Sequence, residues 1–177
     1  MRRLILLSVC FFFLFQSQAA MRGISATGNV HFYGSAVNAA CAINAQSLHQ
    51  SVMMDPVKAA AFTSLGSWAA PKTFWIKLES CNATVSQSAS VAFTGATDPN
   101  DPQVFQAGWG VDSAKGVGIG IFDDEGTLVV PDSAPVNKIM ITNGETILFF
   151  TAKYRAVSSN IVPGDASTAV NFAVYYQ

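Results

Sequence analysis

The sequence ends in the stretch VNFAVYYQ, at positions 170–177. Apolar side chains occupy every second position of this stretch, at Val170, Phe172, Val174 and Tyr176. A spacing of two places such side chains on one face of a β-strand. Chain ends are usually poorly ordered unless something ties them down. Because the apolar face continues to the penultimate residue, we expect this last strand to dock against a core.

A second alternating stretch lies close to the start of the chain. It places Val30, Phe32, Gly34 and Ala36 on one parity, with the more polar Asn29, His31, Tyr33 and Ser35 between them. This pattern predicts a strand over 29–37. What these two strands pair with is the question on which the functional interpretation depends.

Composition favours a single domain that hides its surface in an assembly. The chain has 177 residues, of which 50% are hydrophobic and only 12% are charged, and its net charge is −1. This length is enough for one domain with a substantial core. A nearly neutral chain does not indicate nucleic acid or an anionic membrane surface as a partner.

The first residues have the pattern of a secretory signal. Met1-Arg2-Arg3 is a basic start, an apolar run follows over 4–15, and small residues stand at Ser17 and Ala19. We expect cleavage after Ala19, with Ala20 as the alternative. A membrane anchor is the competing interpretation, but the apolar run is too short to span a bilayer comfortably, and no stop-transfer pattern follows. Residues 1–19 are therefore predicted to be a signal peptide.

Two cysteines remain after removal of the signal, which contains Cys10. An isolated pair in an exported chain predicts a disulfide between Cys41 and Cys81. The alternative is a metal or redox pair. The sequence has no C-x-x-C motif, and its only histidines are His31 and His49, so we favour the disulfide.

Short strands separated by turn residues predict an all-β sandwich. Phe74, Ile76 and Leu78 alternate with polar or amphipathic neighbours in a strand that ends at Cys81, after a break at 66–71. We expect a loop with one helical turn over 57–65, and a long loop over 98–110. The other predicted strands cover 41–43, 47–54, 91–94, 116–122, 128–130, 139–142 and 146–155.

No catalytic set is apparent in the sequence. There is no nucleophile elbow, Walker loop or H-E-x-x-H motif. Gly116, Gly118 and Gly120 have the period of a strand, which favours close packing over a phosphate loop. The acidic run at 123–125 could bind a cation, but it has the position of a solvated hairpin tip and lacks a full ligand set. We therefore predict neither enzyme activity nor a metal or cofactor.

In their order along the chain, several short segments resemble the type 1 fimbrial pilins, the subunits assembled by the chaperone–usher route in Gram-negative bacteria. The matching parts are GNVHFYG at 28–34, VNAAC at 37–41, LESC at 78–81, VAFTG at 91–95, AKYRA at 152–156 and YYQ at 175–177, with Gly164 fourteenth from the end. Within the family, segments 117–126 and 153–156 are similar to the fimbrin-like accessory pilin.

The resemblance implies an incomplete immunoglobulin-like β-sandwich that lacks its last strand. Residues 20–38 would be an N-terminal extension and residues 39–177 the pilin domain. A periplasmic chaperone would first fill the groove left by the missing strand, and the extension of the next subunit would replace it at the outer-membrane usher. Val30, Phe32, Gly34 and Ala36 would be the donor side chains. Gly164, Val170, Phe172, Val174 and Tyr176 would belong to the strand that borders the groove and meets the chaperone.

The leading hypothesis is thus a structural subunit of an adhesive fimbria at the bacterial surface, in an accessory role. The partners implied are the chaperone, the usher and neighbouring pilin subunits. A major rod pilin of the same system is the nearest alternative. A carbohydrate-binding tip adhesin is a different class, and a two-domain adhesin would need a further domain for which this sequence has no room.

Overall fold

The computed structural model describes residues 39–135 and 137–177. The predicted signal peptide, the extension over 20–38 and its donor residues Val30, Phe32, Gly34 and Ala36 lie outside the described residues. Within the part described, no helix is long and apolar enough to cross a membrane.

Two antiparallel sheets form the domain, as the sequence predicted. The larger sheet has the order β1-β2-β8-β5-β4, with β6 also paired to β5, and the smaller has the order β7-β3-β9. The strands are β1 (Ala42–Ile43), β2 (Trp68–Cys81), β3 (Ser88–Thr94), β4 (Phe105–Gln106), β5 (Val117–Phe122), β6 (Leu128–Val129), β7 (Ile139–Met140), β8 (Gly144–Ala156) and β9 (Asn171–Tyr176). A short helix, α1 (Ala45–Leu48), and a 3₁₀ turn (Ala59–Ala61) complete the described elements.

Alternating apolar side chains from both sheets make the core. In the larger sheet, Ile76 of β2 pairs in register with Leu148 of β8, and Phe74 pairs with Phe150. Phe93 of the smaller sheet packs edge-to-face on Phe150, with ring centroids 5.1 Å apart. The period of two in the sequence thus buries one face of each strand between the sheets.

The alternating glycines of β5 allow close packing on the face opposite its apolar side chains. A Cβ added at Gly118 would lie 2.4 Å from a methyl carbon of Val104, and one at Gly120 would lie 2.5 Å from the Trp68 ring. Neither space can hold a methyl group without movement of the neighbours. The packing interpretation of these glycines is therefore correct.

Strand β2 begins earlier than the sequence predicted. It starts at Trp68 and passes through the supposed break, because an extra residue between Ala69 and Lys72 forms a bulge opposite β8. Ala70 adopts a φ of 48° there. A bulge accommodates Pro71 without ending the strand, since a residue in a bulge need not donate to the ladder.

Two further predictions of secondary structure were wrong. The stretch 47–54, predicted as a strand, instead begins within α1 and continues without regular structure. Asn44 caps α1 by accepting a hydrogen bond from the backbone N–H of Gln46 (3.0 Å). The long loop over 98–110 contains the short strand β4, whose Phe105 is fully buried. The loop over 57–65 with one helical turn was predicted correctly.

The disulfide joins Cys41 and Cys81, as predicted. It ties the residue before β1 to the last residue of β2. The Tyr176 hydroxyl donates to the Cys41 carbonyl oxygen (3.1 Å), and Gln177 pairs through its backbone with Ser88. The C-terminal strand is therefore anchored to the disulfide end of the sandwich.

Candidate interaction groove

Strand β9 presents the apolar face that the sequence predicted. The side chains of Phe172, Val174 and Tyr176 are half-buried and pack against the core, together with Val170 just before the strand. Those of the intervening residues 171, 173 and 175 are exposed. The half-burial is notable because aromatic and branched side chains at such positions are usually covered completely.

One edge of β9 has no partner strand within the described residues. Its other edge pairs with β3 along the whole strand, from Asn171 opposite Thr94 to Tyr176 opposite Ala89. Gln177 and Ser88 exchange both of their backbone hydrogen bonds, each 3.0 Å long. Antiparallel ladders alternate from such a pair, so the N–H and C=O groups of Phe172, Val174 and Tyr176 point away from β3. The same residues thus turn their side chains inward and their peptide groups toward the open edge.

A groove of about 890 Å³ runs beside the 161–172 segment that leads into β9. One wall is formed by this segment, and the opposite wall by residues between Ser47 and Phe62. The floor consists of side chains from both sheets: Phe74, Ile76, Phe93, Val117, Ile119, Ile121, Ala152 and Tyr154. The floor is apolar except for the Tyr154 hydroxyl, and so resembles a core from which one layer of side chains is missing.

The floor has two halves. Near Val170 and Phe172 it is built from the main core, with Ile76, Phe93 and Ile121. The other half is built from a second buried cluster that includes Val117, Ile119, Ala152 and Tyr154. Phe74 packs against both clusters and joins the halves.

The wall over 49–58 has no regular secondary structure. Within the described residues its backbone makes no ladder to a neighbouring strand. Met54 and Val57 pack their side chains on the second cluster, and Asp55 forms an ion pair with Lys72 of β2 (3.4 Å). The groove is therefore bordered on both sides by backbone that could accept a further strand.

Gly164 belongs to the β9-side wall, where the chain approaches the 112–114 segment closely. A Cβ at this position would lie 2.5 Å from the backbone nitrogen of Ala114 and 2.5 Å from the carbonyl oxygen of Asp112. Isolated bridges on either side, Ser113 with Asp165 and Lys115 with Val162, hold the two segments together. Only glycine fits this approach without displacing backbone.

The structure places the acidic run at 123–125 in the turn between β5 and β6. The Asp123 carboxylate accepts a hydrogen bond from the Thr127 backbone N–H (2.7 Å) and another from the Asn137 side chain. Among the residues described, no group of three or more His, Cys, Asp or Glu side chains could hold a metal ion. Asp123 thus stabilises the β5–β6 hairpin.

Two tyrosines, Tyr176 of β9 and Tyr154 of β8, have raised pKa values. Burial raises the pKa of Tyr176 above the ordinary tyrosine value. The pKa of Tyr154 is raised by burial first, and then by the negative charges of Asp165 and Asp55. Tyr154 was missed as a site residue in the sequence because its alternation with Ala152 indicates only a core position.

The sequence profile of the fimbrial protein family matches residues 27–177. The chain is 38% identical to the fimbrin-like protein FimI of Salmonella typhi over 152 residues, which cover 85% of each protein. It is 35% identical to the type 1 fimbrial subunit of Salmonella typhimurium over 153 residues, covering 85% of this chain and 83% of the relative.

Solved structures agree with the fold. The P pilus rod subunit PapA superposes with a TM-score of 0.66 at 24% identity, covering 78% of this chain and all of that one. A type I fimbria protein of Burkholderia pseudomallei superposes with a TM-score of 0.61 at 29% identity, covering 79% of this chain and 91% of that one. The predicted incomplete immunoglobulin-like sandwich is thereby confirmed as the fold class. The chain belongs to the fimbrial protein family, and is an exported structural subunit of a Gram-negative cell-surface fimbria rather than an enzyme.

Proposed function

We propose that this subunit joins the fimbria by accepting an extended strand from a neighbouring subunit into the groove beside β9. The main observation in support of the proposal is that, in the described part of the chain, one edge of β9 has no partner strand and lies beside the apolar floor of the groove. An exposed edge of this kind pairs with other chains unless it is covered. Strand addition satisfies the free backbone groups while alternate side chains fill the pockets, a mode of recognition of which pilin complexes are themselves an example.

The extension over 20–38 is the segment proposed to fill the groove of the next subunit. Val30, Phe32, Gly34 and Ala36 share one parity, so an extended backbone directs them to one side. Full burial of Val30 or Phe32 would stabilise the contact by about 1.5–3 kcal/mol each. Asn29, His31 and Tyr33 would then face outward.

A periplasmic chaperone and the outer-membrane usher are the further partners that the proposal requires. The half-buried side chains of β9 would be exposed to aggregation before a neighbour arrives. A chaperone that binds the same edge prevents this aggregation. At the usher, the extension of a neighbouring subunit then replaces the chaperone. We place the chaperone contact on Phe172 and Tyr176 of β9, with Gly164 shaping the wall that leads into the strand.

Within the fimbria we propose an accessory position. The similarity to a fimbrin-like protein supports this position. The similarity to type 1 fimbrial subunits supports the alternative, a major rod pilin. Quantitative mass spectrometry of purified fimbriae separates them, because an accessory subunit is a small fraction of the pilin and a major subunit is nearly all of it.

Peptide binding tests the strand-acceptor role. A peptide covering 28–38, added in excess to the exported chain, should raise the thermal unfolding midpoint because it binds only the folded state. A peptide with Phe32→Asp should not, since it would bury an unpaired charge. One with His31→Ala, on the opposite parity, should act like the native peptide. If the native peptide leaves the midpoint unchanged, the strand-acceptor role is wrong.

A further inference from the structure

The floor of the groove is apolar except for the Tyr154 hydroxyl. Tyr154 is only 7% exposed, and it contributes to the floor of this half among Val117, Ile119 and Ala152. Its hydroxyl has no hydrogen-bond partner among the described residues. A strand that covers this hydroxyl would have to supply one, since buried tyrosine hydroxyls usually have a partner. By contrast, the Tyr176 hydroxyl is satisfied by the Cys41 carbonyl.

A buried hydroxyl lies on the β9 side of the same groove. Among the described residues, the Thr168 Oγ1 atom has no hydrogen-bond partner, and Thr168 lines the groove. Leaving a buried hydrogen-bonding group unpaired is costly, and a strand that covers Tyr154 would bury a second such group. Both hydroxyls therefore favour a strand that brings a polar group to this half of the groove.

The charge around Tyr154 restricts what that polar group can be. Asp165 lines the groove and has no cationic partner among the ion pairs of the described region. One of its carboxylate oxygens accepts from the backbone N–H and the hydroxyl of Ser167 (3.3 and 2.6 Å). Asp55, on the opposite wall, is paired with Lys72. The negative charge at Asp165 disfavours another carboxylate in this half of the groove.

We propose that Tyr154 is a specificity-determining residue: its hydroxyl selects, from the strand that fills the groove, a neutral hydrogen-bonding side chain such as asparagine at one inward-facing position. This inference rests on the proposed strand-acceptor function and makes it more specific. The occupant is the extended strand of a neighbouring subunit. The four inward-parity residues of this chain's own extension are apolar or glycine, so a different subunit that carries a polar residue at that position fills the groove better than a second copy of this chain.

Three nearly isosteric side chains separate hydrogen bonding from shape and charge. Peptides based on 28–38 would carry asparagine, leucine or aspartate at each of the four inward positions in turn, as single replacements of Val30, Phe32, Gly34 or Ala36. At one position we expect the asparagine peptide to bind the exported chain about five- to tenfold more tightly than the leucine peptide, the scale of one added hydrogen bond. The aspartate peptide should bind most weakly there.

The variant Tyr154→Phe keeps the ring and removes only the hydroxyl. It should abolish the advantage of asparagine over leucine at that position while native-peptide binding persists. The matched control is Tyr175→Phe, which removes the hydroxyl of an exposed tyrosine on the outer face of β9 and should leave the preference intact.

The outcomes distinguish this inference from the function on which it rests. If no peptide of the series binds, the strand-acceptor function itself is wrong. If the native peptide binds but no position prefers asparagine, or if the preference survives Tyr154→Phe, only the role of Tyr154 is overturned. Binding of the aspartate peptide as tight as that of the asparagine peptide would also contradict it.

Discussion

Strands β8 and β9 have the same alternating sequence pattern but different surroundings. β8 is paired on both edges, with β2 on one side and β5 on the other, and its inward residues Leu148, Phe150 and Ala152 are buried. Among the residues that the structure describes, β9 is paired with β3 alone, and its inward residues remain half-buried. This difference is what the proposed strand addition requires, since a strand from another subunit would cover β9. On that proposal, β8 is stabilised by strands of its own domain and β9 by a strand from outside it.

The largest effect should come from removing the disulfide at the closed end of the sandwich. Replacing both Cys41 and Cys81 by serine should lower the free energy of unfolding by about 4 kcal/mol, the chain-entropy value for a loop of this size. Denaturant unfolding measures the change. Since Tyr176 bonds to the Cys41 carbonyl, we expect β9 to lose order first. A variant as stable as the wild-type chain would contradict this anchoring role.

A core substitution in β8 should cost more than a comparable one in β9. Leu148→Ala should destabilise the chain by about 3 kcal/mol, because the site is fully buried and cannot collapse easily. Without a groove peptide, Val174→Ala should lower the free energy of unfolding by about 1 kcal/mol. With the peptide bound, the same substitution should lower it by more. The exposed neighbour substitution Ile147→Ala is the control and should be nearly neutral. If Leu148→Ala and Val174→Ala destabilise the peptide-free chain equally, the proposed difference between β8 and β9 is wrong.

Adding a single methyl group at Gly164 should disturb the wall that leads into β9. Gly164→Ala places a Cβ against the backbone of Asp112 and Ala114, which should destabilise the chain by about 1–3 kcal/mol through overpacking. Urea unfolding measures the loss, and binding of the 28–38 peptide should weaken in parallel. An unchanged urea midpoint would show that the segments around Gly164 and over 112–114 can move apart without loss of stability.

The smallest effect concerns the Tyr176 hydroxyl and depends on pH. At neutral pH, Tyr176→Phe should cost about 1 kcal/mol through loss of the hydrogen bond to Cys41. Because burial raises the folded-state pKa above 10.0, the stabilisation is complete below that pH and is lost as the pH rises through the folded-state value. The urea unfolding midpoints of the two chains should therefore differ below pH 10.0 and converge as the pH rises above it. A constant difference would contradict the assignment.

Much of the β-structure could be predicted from residue spacing. The alternation in 74–78 and in 170–176 identified the side chains that face the core, and the pair of cysteines identified the disulfide. The glycines of β5 were recognised as packing residues because their period matched a strand. These predictions succeeded because strand periodicity and cysteine content can be recognised in the sequence without knowing which strands are neighbours in the fold.

The rest of the groove could not be predicted because its residues carry no periodic signal. The wall over 49–58 is held by separate contacts, through Met54, Val57 and Asp55, rather than by a ladder. The chain at Asn143-Gly144 connects β7 of the smaller sheet to β8 of the larger, and local turn chemistry does not specify the sheet. Likewise, nothing in the sequence indicates that the Tyr154 hydroxyl lacks a hydrogen-bond partner in the described part of the chain.

Amide exchange along β9 measures whether a strand enters at its open edge. In the exported chain without peptide, the N–H groups of Phe172 and Val174 should exchange quickly because they face the open edge, whereas those of Ala173 and Tyr175 should be protected by β3. Excess 28–38 peptide should slow exchange at Phe172 and Val174 strongly, and leave β8 amides such as Leu148 protected throughout. If Phe172 and Val174 exchange at the same rate with and without bound peptide, the strand does not enter beside β9, and the account given for the groove is wrong.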